Sequence, residues 1–257
     1  MLDDITPLII TCDERDNIER SLGALAWARR IVVLDSGSTD GTVEIARSFP
    51  NVEVITRPFD SFAGQCNFGL TRIRTEWVLS IDADYVLTPA LSAEIAALRP
   101  PSAVAGYQAP FVYCIYGRPL RGSLYPARTV LYRIARANYV DEGHGHRVVV
   151  DGTVRSLRAR IRHDDRKPLE RWFTAQRRYA RAEADHLTSA PGGSLSWKDR
   201  IRRTGVAAPF LVLAYTLLGT RCLLDGRAGW FYVLQRSVAE AMIALELIDR
   251  RLRKPRC

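Results

Sequence analysis

RIVVLDSGSTDGTVEIARSF, residues 30–49, joins a strand, a turn and a helix pattern in one short stretch. RIVVLD (30–35) is apolar, β-branched and too short for a helix, as expected of a strand buried on both faces. SGSTDGT (36–42) has the glycine, serine and aspartate chemistry of a turn, and 43–49 follows with helical spacing. The same unit recurs on either side. ITPLIIT (5–11) precedes a helical pattern over 16–28, in which Ile18, Leu22, Leu25 and Ala26 share a face. VEVITR (52–57) precedes a helix over 64–72, and EWVLSID (76–82) a helix over 89–98. Parallel neighbours need crossover helices, so this alternation predicts an α/β fold: a doubly wound, mostly parallel sheet with helices on both faces.

Residues 104–163 change character. Aromatic and β-branched runs (GYQAPFVYCIYG, TVLYRI, HRVVVDGTV) are separated by Gly and Pro, which predicts a mixed sheet completing the domain. The pattern over 168–188 is helical and rich in arginine, 205–220 is a run without charge, and 230–248 has mixed helical spacing. The expected organisation is a catalytic domain over 1–165 and a helical, basic extension over 166–257.

The formal charge of +9 hides an asymmetry. Residues 1–150 hold 15 basic and 17 acidic side chains, net −2, whereas 151–257 hold 22 and 11, net +11. Apolar residues at 47% and charged residues at 25% exclude a disordered or fibrous chain. Five widely spaced cysteines, with no Cys-x-x-Cys pair, give no disulfide frame or zinc ribbon and point to a reducing compartment. MLDDITPLII lacks the basic and apolar regions of a signal peptide, so a cytoplasmic location is expected.

In an open parallel sheet, ligands bind beyond the carboxyl ends of the strands. Three polar groups fall there: Thr11-Cys12-Asp13-Glu14, Asp35-Ser36-Gly37-Ser38 followed by Asp40 and Thr42, and Asp82-Ala83-Asp84. Ser38 and Asp40 also read simply as helix caps. Asp82 and Asp84 are alternate residues of an extended segment and project to one side. Two converging carboxylates there call for a hard cation such as Mg2+ or Mn2+ bridging a diphosphate; two solvated loop aspartates are the plainer alternative.

Together these stretches resemble the family 2 glycosyltransferases of GT-A fold. The resemblance is carried by PLIITCDERDNIERSL (7–22), VVLDSGSTDGTVEIA (32–46), GQCNFGL (64–70) and WVLSIDADYVL (77–87), in that order and spacing. Within that family the chain resembles the branch that includes lipopolysaccharide-core glucosyltransferases, and HDDRKPLERWFTAQRRYARAEADHL (163–187) resembles the element such enzymes carry after the catalytic domain. The resemblance implies a nucleotide-sugar site in which Thr11 and Asp35 hold the pyrimidine base and Glu14 lies beside the ribose. Ser36 and Asn67 are expected at the same donor. Asp84 is the implied metal ligand, Asp82 lies nearer the ribose or shares the metal, and His163 completes the metal shell or serves structure alone. The implied general base lies in YVDEGHGHR (139–147), with Glu142 ahead of Asp141 and with His144 and His146 orienting the acceptor. Two positions depart from the family pattern: Cys12 replaces an aromatic ring against the base, and Cys66 replaces a cation before Asn67.

The implied reaction is metal-dependent, inverting transfer of a sugar, with UDP-hexose as donor. The acceptor is a hydroxyl of a lipid-linked or cell-envelope glycan, such as lipopolysaccharide core, at the cytoplasmic face of the inner membrane. A polyprenyl-phosphate acceptor is the alternative. A non-enzymatic basic protein binding membrane or nucleic acid is the reading from another class, but the basic residues of 163–185 are interleaved with acids and carry no nucleic-acid reader motif. A nicotinamide oxidoreductase would need glycines after the first strand, and TCDERDN has none.

The uncharged run GVAAPFLVLAYTLLGT (205–220) reaches only about 24 Å as a helix, short of the roughly 30 Å of a bilayer core. Flanking Trp197, Trp230, Phe231 and Tyr232, and the basic LIDRRLRKPRC (247–257), suit interfacial or re-entrant association with an anionic membrane; a buried core helix is the alternative.

Overall fold

The computed structural model describes residues 1–142, 145–191, 193 and 195–253, and of Glu142 the backbone alone. The strand–helix units predicted for the first hundred residues form as β1 (Ile5–Thr11), α1 (Ile18–Gly23), β2 (Ile31–Asp35), α2 (Thr42–Arg47), β3 (Val52–Thr56), α3 (Phe62–Leu70), β4 (Trp77–Asp82), β5 (Tyr85–Leu87) and α4 (Pro89–Ala97). The mixed region supplies β6 (Val104–Ala109), β7 (Phe111–Ile115), β8 (Arg118–Pro119), β9 (Arg128–Arg133), β10 (Ala137–Glu142), β11 (Gly145–Val150), β12 (Thr153–Ser156) and β13 (Ile161–His163).

The central sheet has the order β12-β6-β9-β4-β1-β2-β3. β1 pairs in parallel with β2 and β4, and β2 with β3, while β9 runs antiparallel between β4 and β6. The sheet is thus mostly parallel, as the alternation required. A smaller sheet, β5-β13-β7-β8, and the β10–β11 hairpin complete this unit.

Alternation along the strands sorts the helices. Ile9, Ile31, Val33, Leu79 and Ile81 share a buried cluster with Ile18 and Leu22 of α1, Ala46 of α2 and Leu91 and Ile95 of α4. The intervening Leu8, Val32 and Val78 cluster instead with Ala63, Cys66 and Leu70 of α3, and with Tyr132 and Tyr139. Helices therefore cover both faces, and β2 is buried along its whole length, which is why RIVVLD reads as unbroken hydrophobicity. α3 sits so close to the sheet that a Cβ on Gly69 would lie 2.7 Å from a methyl of Leu8. The buried hydroxyls on this face satisfy one another: Tyr132 and Tyr139 lie 2.7 Å apart, and Tyr139 donates to Ser80 at 2.8 Å.

The chain divides into two compact units, Met1–Pro119 with Tyr125–Arg166, and Leu120–Leu124 with the residues from Lys167 onward. The second unit is helical: α5 (Leu169–Ser189), α6 (Trp197–Thr204), α7 (Ala207–Ala214), a π-helical turn Tyr215–Gly219, a 3-10 turn Cys222–Asp225 and α8 (Gly226–Arg253). Its short segment 120–124 is tied in by Arg121 to Asp225 and by the Leu124 N–H to the Tyr232 hydroxyl, 2.8 Å away. The uncharged run expected as one helix is α7 continuing directly into the π turn, and the chain bends only after Gly219. α6 opens with a capping box in which Ser196 and Asp199 bond reciprocally.

Candidate active site

Register brings the strand-end residues into one row. Thr11 stands opposite Asp35 on one side of β1, and Ile10 stands opposite Asp82 on the other. The Thr11 hydroxyl is buried and has no hydrogen-bond partner among the described residues. Asp35 is buried too, but its carboxylate shapes its own loop: one oxygen accepts from the Gly37 and Ser38 N–H groups at 2.9 and 3.0 Å, and the other from the Ser38 hydroxyl. Gly37 is needed there because its φ of +96° is strained for any side chain.

The loops after β1 and β2 are laced together. The N–H groups of Asp13, Glu14 and Arg15 donate to Ser38, Thr42 and Asp40 at 2.7, 2.7 and 3.1 Å, and the Thr39 N–H donates back to Asp13 at 2.8 Å. Ser38 and Asp40, which also read as helix caps, are cross-loop braces. Glu14 accepts from the Asn17 amide at 2.8 Å, and Ser36 donates its N–H to the Thr11 carbonyl.

Asp82 and Asp84 flank Ala83, whose carbonyl accepts from the buried Ser21 hydroxyl at 2.6 Å. The Asp84 carbonyl accepts from the Asp164 N–H at 3.1 Å. Because β13 pairs with β5 with His163 opposite Tyr85, the His163 Nε2 lies 3.1 Å from an Asp84 carboxylate oxygen. The imidazole sits among the rings of Tyr85, Tyr113 and Tyr125, 4.4–5.2 Å between centroids. Burial pulls the His163 pKa down, but the charges of Asp84, Asp82 and Asp165 outweigh it and the net shift is upward.

Among the described residues no three His, Cys, Asp or Glu side chains gather closely enough to share one metal ion. Asp84 and His163 are brought together; Asp82 reaches His163 through its charge alone. The Asp84 carboxylate fits a hard divalent cation such as Mg2+ or Mn2+, and the His163 imidazole beside it would suit Mn2+ better than Mg2+.

The loop expected to hold the base follows another route to the site. Asn67 spends its amide on the backbone of Tyr139, donating to its carbonyl at 3.0 Å and accepting from its N–H at 2.8 Å. That fixes β10 two residues before Asp141, whose carboxylate accepts from the Ala63 N–H in the first turn of α3 at 3.1 Å. His146 stands opposite Asp141 on β11 and stacks on Phe62. Burial lowers the His146 pKa, and nearby Arg128 reinforces that against the charges of Asp82 and Asp141. His144 lies outside the described residues, as does the side chain of Glu142.

Two groups have no counterpart in the sequence reading. Arg128, at the start of β9, lies in the field of Asp82 and of the Tyr85 and Tyr125 hydroxyls and holds its guanidinium carbon 5.2 Å from the Tyr125 ring centre. Cys66, where a cation was expected from the family pattern, is a buried thiol whose pKa is pushed far up by desolvation, so it brings no charge. The second group centres on Asp164, 4% exposed, which accepts from Arg20 at 2.7 Å, from Arg166 and from the Gly117 N–H at 2.8 Å. Arg20 also binds Asn17, and Asn17 reaches Asp165, so this hub ties α1 to the segment after β13. Asp164→Ala leaves two arginines facing each other without a counter-charge and is expected to destabilise this unit by about 3 kcal/mol, read as a lower urea midpoint. A loss below about 1 kcal/mol would show the hub to be dispensable.

The family model for "Glycosyl transferase family 2" matches residues 7–163, a span that contains every one of these groups except Asp164–Arg166. The chain belongs to glycosyl transferase family 2. An uncharacterized glycosyltransferase of Rickettsia bellii (strain RML369-C) is 39% identical over 92 residues, covering 35% of this chain and 31% of the relative. The lipopolysaccharide core biosynthesis glycosyltransferase LpsC of Rhizobium meliloti (strain 1021) is 32% identical over 91 residues, 34% of each chain. This family 2 chain thus matches about a third of the length of those curated relatives. Among solved structures, S. aureus TarS 1-349 aligns with a TM-score of 0.44 at 16% identity over 97% of this chain and 92% of that one. The glucosyl-3-phosphoglycerate synthase of Mycobacterium tuberculosis, in complex with Mn2+, UDP and phosphoglyceric acid, aligns with a TM-score of 0.46 at 15% identity over 73% and 79%.

Proposed function

We propose that this family 2 chain transfers a hexose from a UDP-sugar, with inversion and with Mg2+ or Mn2+, to a hydroxyl of a lipid-linked or cell-envelope glycan such as lipopolysaccharide core. The observation that carries the reading is the row at the carboxyl ends of β2, β1 and β4: buried Asp35, the unpartnered Thr11 hydroxyl and the Asp82-Ala83-Asp84 turn with His163 against it. A buried hydroxyl left unsatisfied is costly, and a base with hydrogen-bonding edges supplies its partner.

In this reading Thr11 and Asp35 face the uracil, with Glu14, Ser36 and Asp82 toward the ribose. Asn67 acts on the donor site indirectly, by holding β10. A divalent cation bound at Asp84 and His163 would neutralise the charge growing on the diphosphate leaving group. Arg128 adds a second positive charge beside Asp82, in place of the cation missing at Cys66. Glu142, with Asp141 behind it, takes the proton of the attacking hydroxyl. The neutral imidazole favoured at His146 leaves a nitrogen lone pair free to orient that hydroxyl.

UDP binding with and without Mg2+ or Mn2+, followed by hydrolysis of a panel of nucleotide sugars, tests the reading. Metal-stimulated UDP binding and release of one hexose support it; no UDP binding under either condition defeats it. Arg128→Ala is expected to lower kcat about a hundredfold with partial recovery in Arg128→Lys. A change within threefold would remove Arg128 from leaving-group stabilisation.

A further inference from the structure

In the helical unit, large apolar side chains are exposed along one continuous stretch, 206–234. Phe210 is 70% exposed, Leu218 65%, Leu224 60% and Leu234 55%, with Leu211 and Tyr215 beside them. Phe210, Ala214 and Leu218 are four apart, so they align along one side of α7 and the π turn. Soluble monomers rarely leave so many large apolar side chains of one segment to water.

We propose that this face of 206–234 is a docking face for an anionic lipid bilayer, one that enters the headgroup boundary without crossing the membrane. The chemistry of its surroundings selects that occupant. Residues 200–239 contain six arginines and a single acid, Asp225, which is itself paired with Arg121. Arg200, Arg203, Arg221 and Arg227 are exposed. An apolar centre with a positive rim complements anionic headgroups over acyl chains. A second copy of the chain on the same face would set like charges against each other, which disfavours self-association.

Geometry argues for lying in the interface. No single helix among the described residues is long and apolar enough to cross a membrane. Ala207–Gly219 and the helical stretch after Cys222 are bent from one another by 68°. The break is also prepared for an apolar medium, where unpaired backbone groups are costly. The Thr216 hydroxyl donates to the Val212 carbonyl and the Thr220 hydroxyl to the Thr216 carbonyl, each at 2.6 Å, across the turn where regular helical bonding is interrupted.

The inference rests on the proposed lipid-linked acceptor as its reason, yet its test involves no sugar donor, so the two fail separately. The full chain is floated with vesicles of phosphatidylcholine alone and of phosphatidylcholine with phosphatidylglycerol. Binding to the anionic vesicles is expected, with quenching of tryptophan emission by lipids brominated near the headgroup, since Trp230 lies within this stretch and is exposed. The double variant Phe210→Glu with Leu218→Glu should bind those vesicles at least about tenfold more weakly while binding UDP as the wild type does. Absence of vesicle binding would overturn the proposal, as would binding that the double variant leaves unchanged, because charge alone would then account for it. A wild-type dimer in sedimentation that the same variant dissolves would assign the face to a second copy. Should the variant fail to fold, unquenched emission of the vesicle-bound wild type overturns the proposal by itself.

Discussion

Asp84→Ala is expected to lower sugar transfer by about a thousandfold or more, equivalent to about 4 kcal/mol of transition-state stabilisation. The carboxylate is 9% exposed and faces His163, and its backbone is held independently: Ser21 fixes the neighbouring Ala83 carbonyl and the Asp164 N–H binds the Asp84 carbonyl. Removing the side chain therefore leaves the turn in place, and circular dichroism should match the wild type. In the proposed mode, where metal and diphosphate bind together, UDP affinity in the presence of Mn2+ should fall toward the metal-free value. Asp82→Ala should cost less, since no contact joins Asp82 to the Asp84–His163 pair. Retention of more than a tenth of wild-type transfer by Asp84→Ala would show that no required cation is held there.

The second large effect is expected at the hairpin. Glu142→Gln should lower kcat by about a thousandfold while leaving UDP binding intact, the pattern of a lost general base. Asp141→Asn should stay within about tenfold, because the Asp141 carboxylate already accepts the Ala63 N–H and braces β10 against α3, a bond that an asparagine oxygen preserves. An inactive Asp141→Asn beside an active Glu142→Gln would reverse the assignment.

Much of the sheet was legible because burial on both faces leaves a direct trace: β1, β2 and β4 fall within a residue or so of the apolar runs at 5–11, 30–35 and 76–82, and the half-buried edge strand β3 still shows in its β-branched run at 52–57. Helix ends were less so. α1 stops at Gly23, although Leu25 and Ala28 remain buried in turns whose apolar spacing mimics another helical turn. Within 205–220 an uncharged stretch carries no periodic signal for the change from α- to π-helical winding at Tyr215, while the capping box at Ser196 and Asp199 is legible in the sequence. At the site, carboxylates at strand ends were visible from position alone. The groups that hold them were not, because their partners are remote in the chain: Ser21 meets Ala83 across 62 positions, and Arg20 meets Asp164 across 144. Arg128 opens an antiparallel strand inserted beside β4, a topology that no local pattern announces.

The lacing of the loops after β1 and β2 has a consequence for inheritance and for engineering. Asp13, Glu14 and Arg15 meet Ser38, Thr39, Asp40 and Thr42 through four bonds running in both directions, so the shape of each loop depends on the other. Grafting residues 12–16 or 36–42 singly from a relative should disable the recipient, while transplanting both should carry base preference across intact. The two segments form one heritable cassette, and substitutions at 13 and 39, whose side chains meet, should be found to drift together.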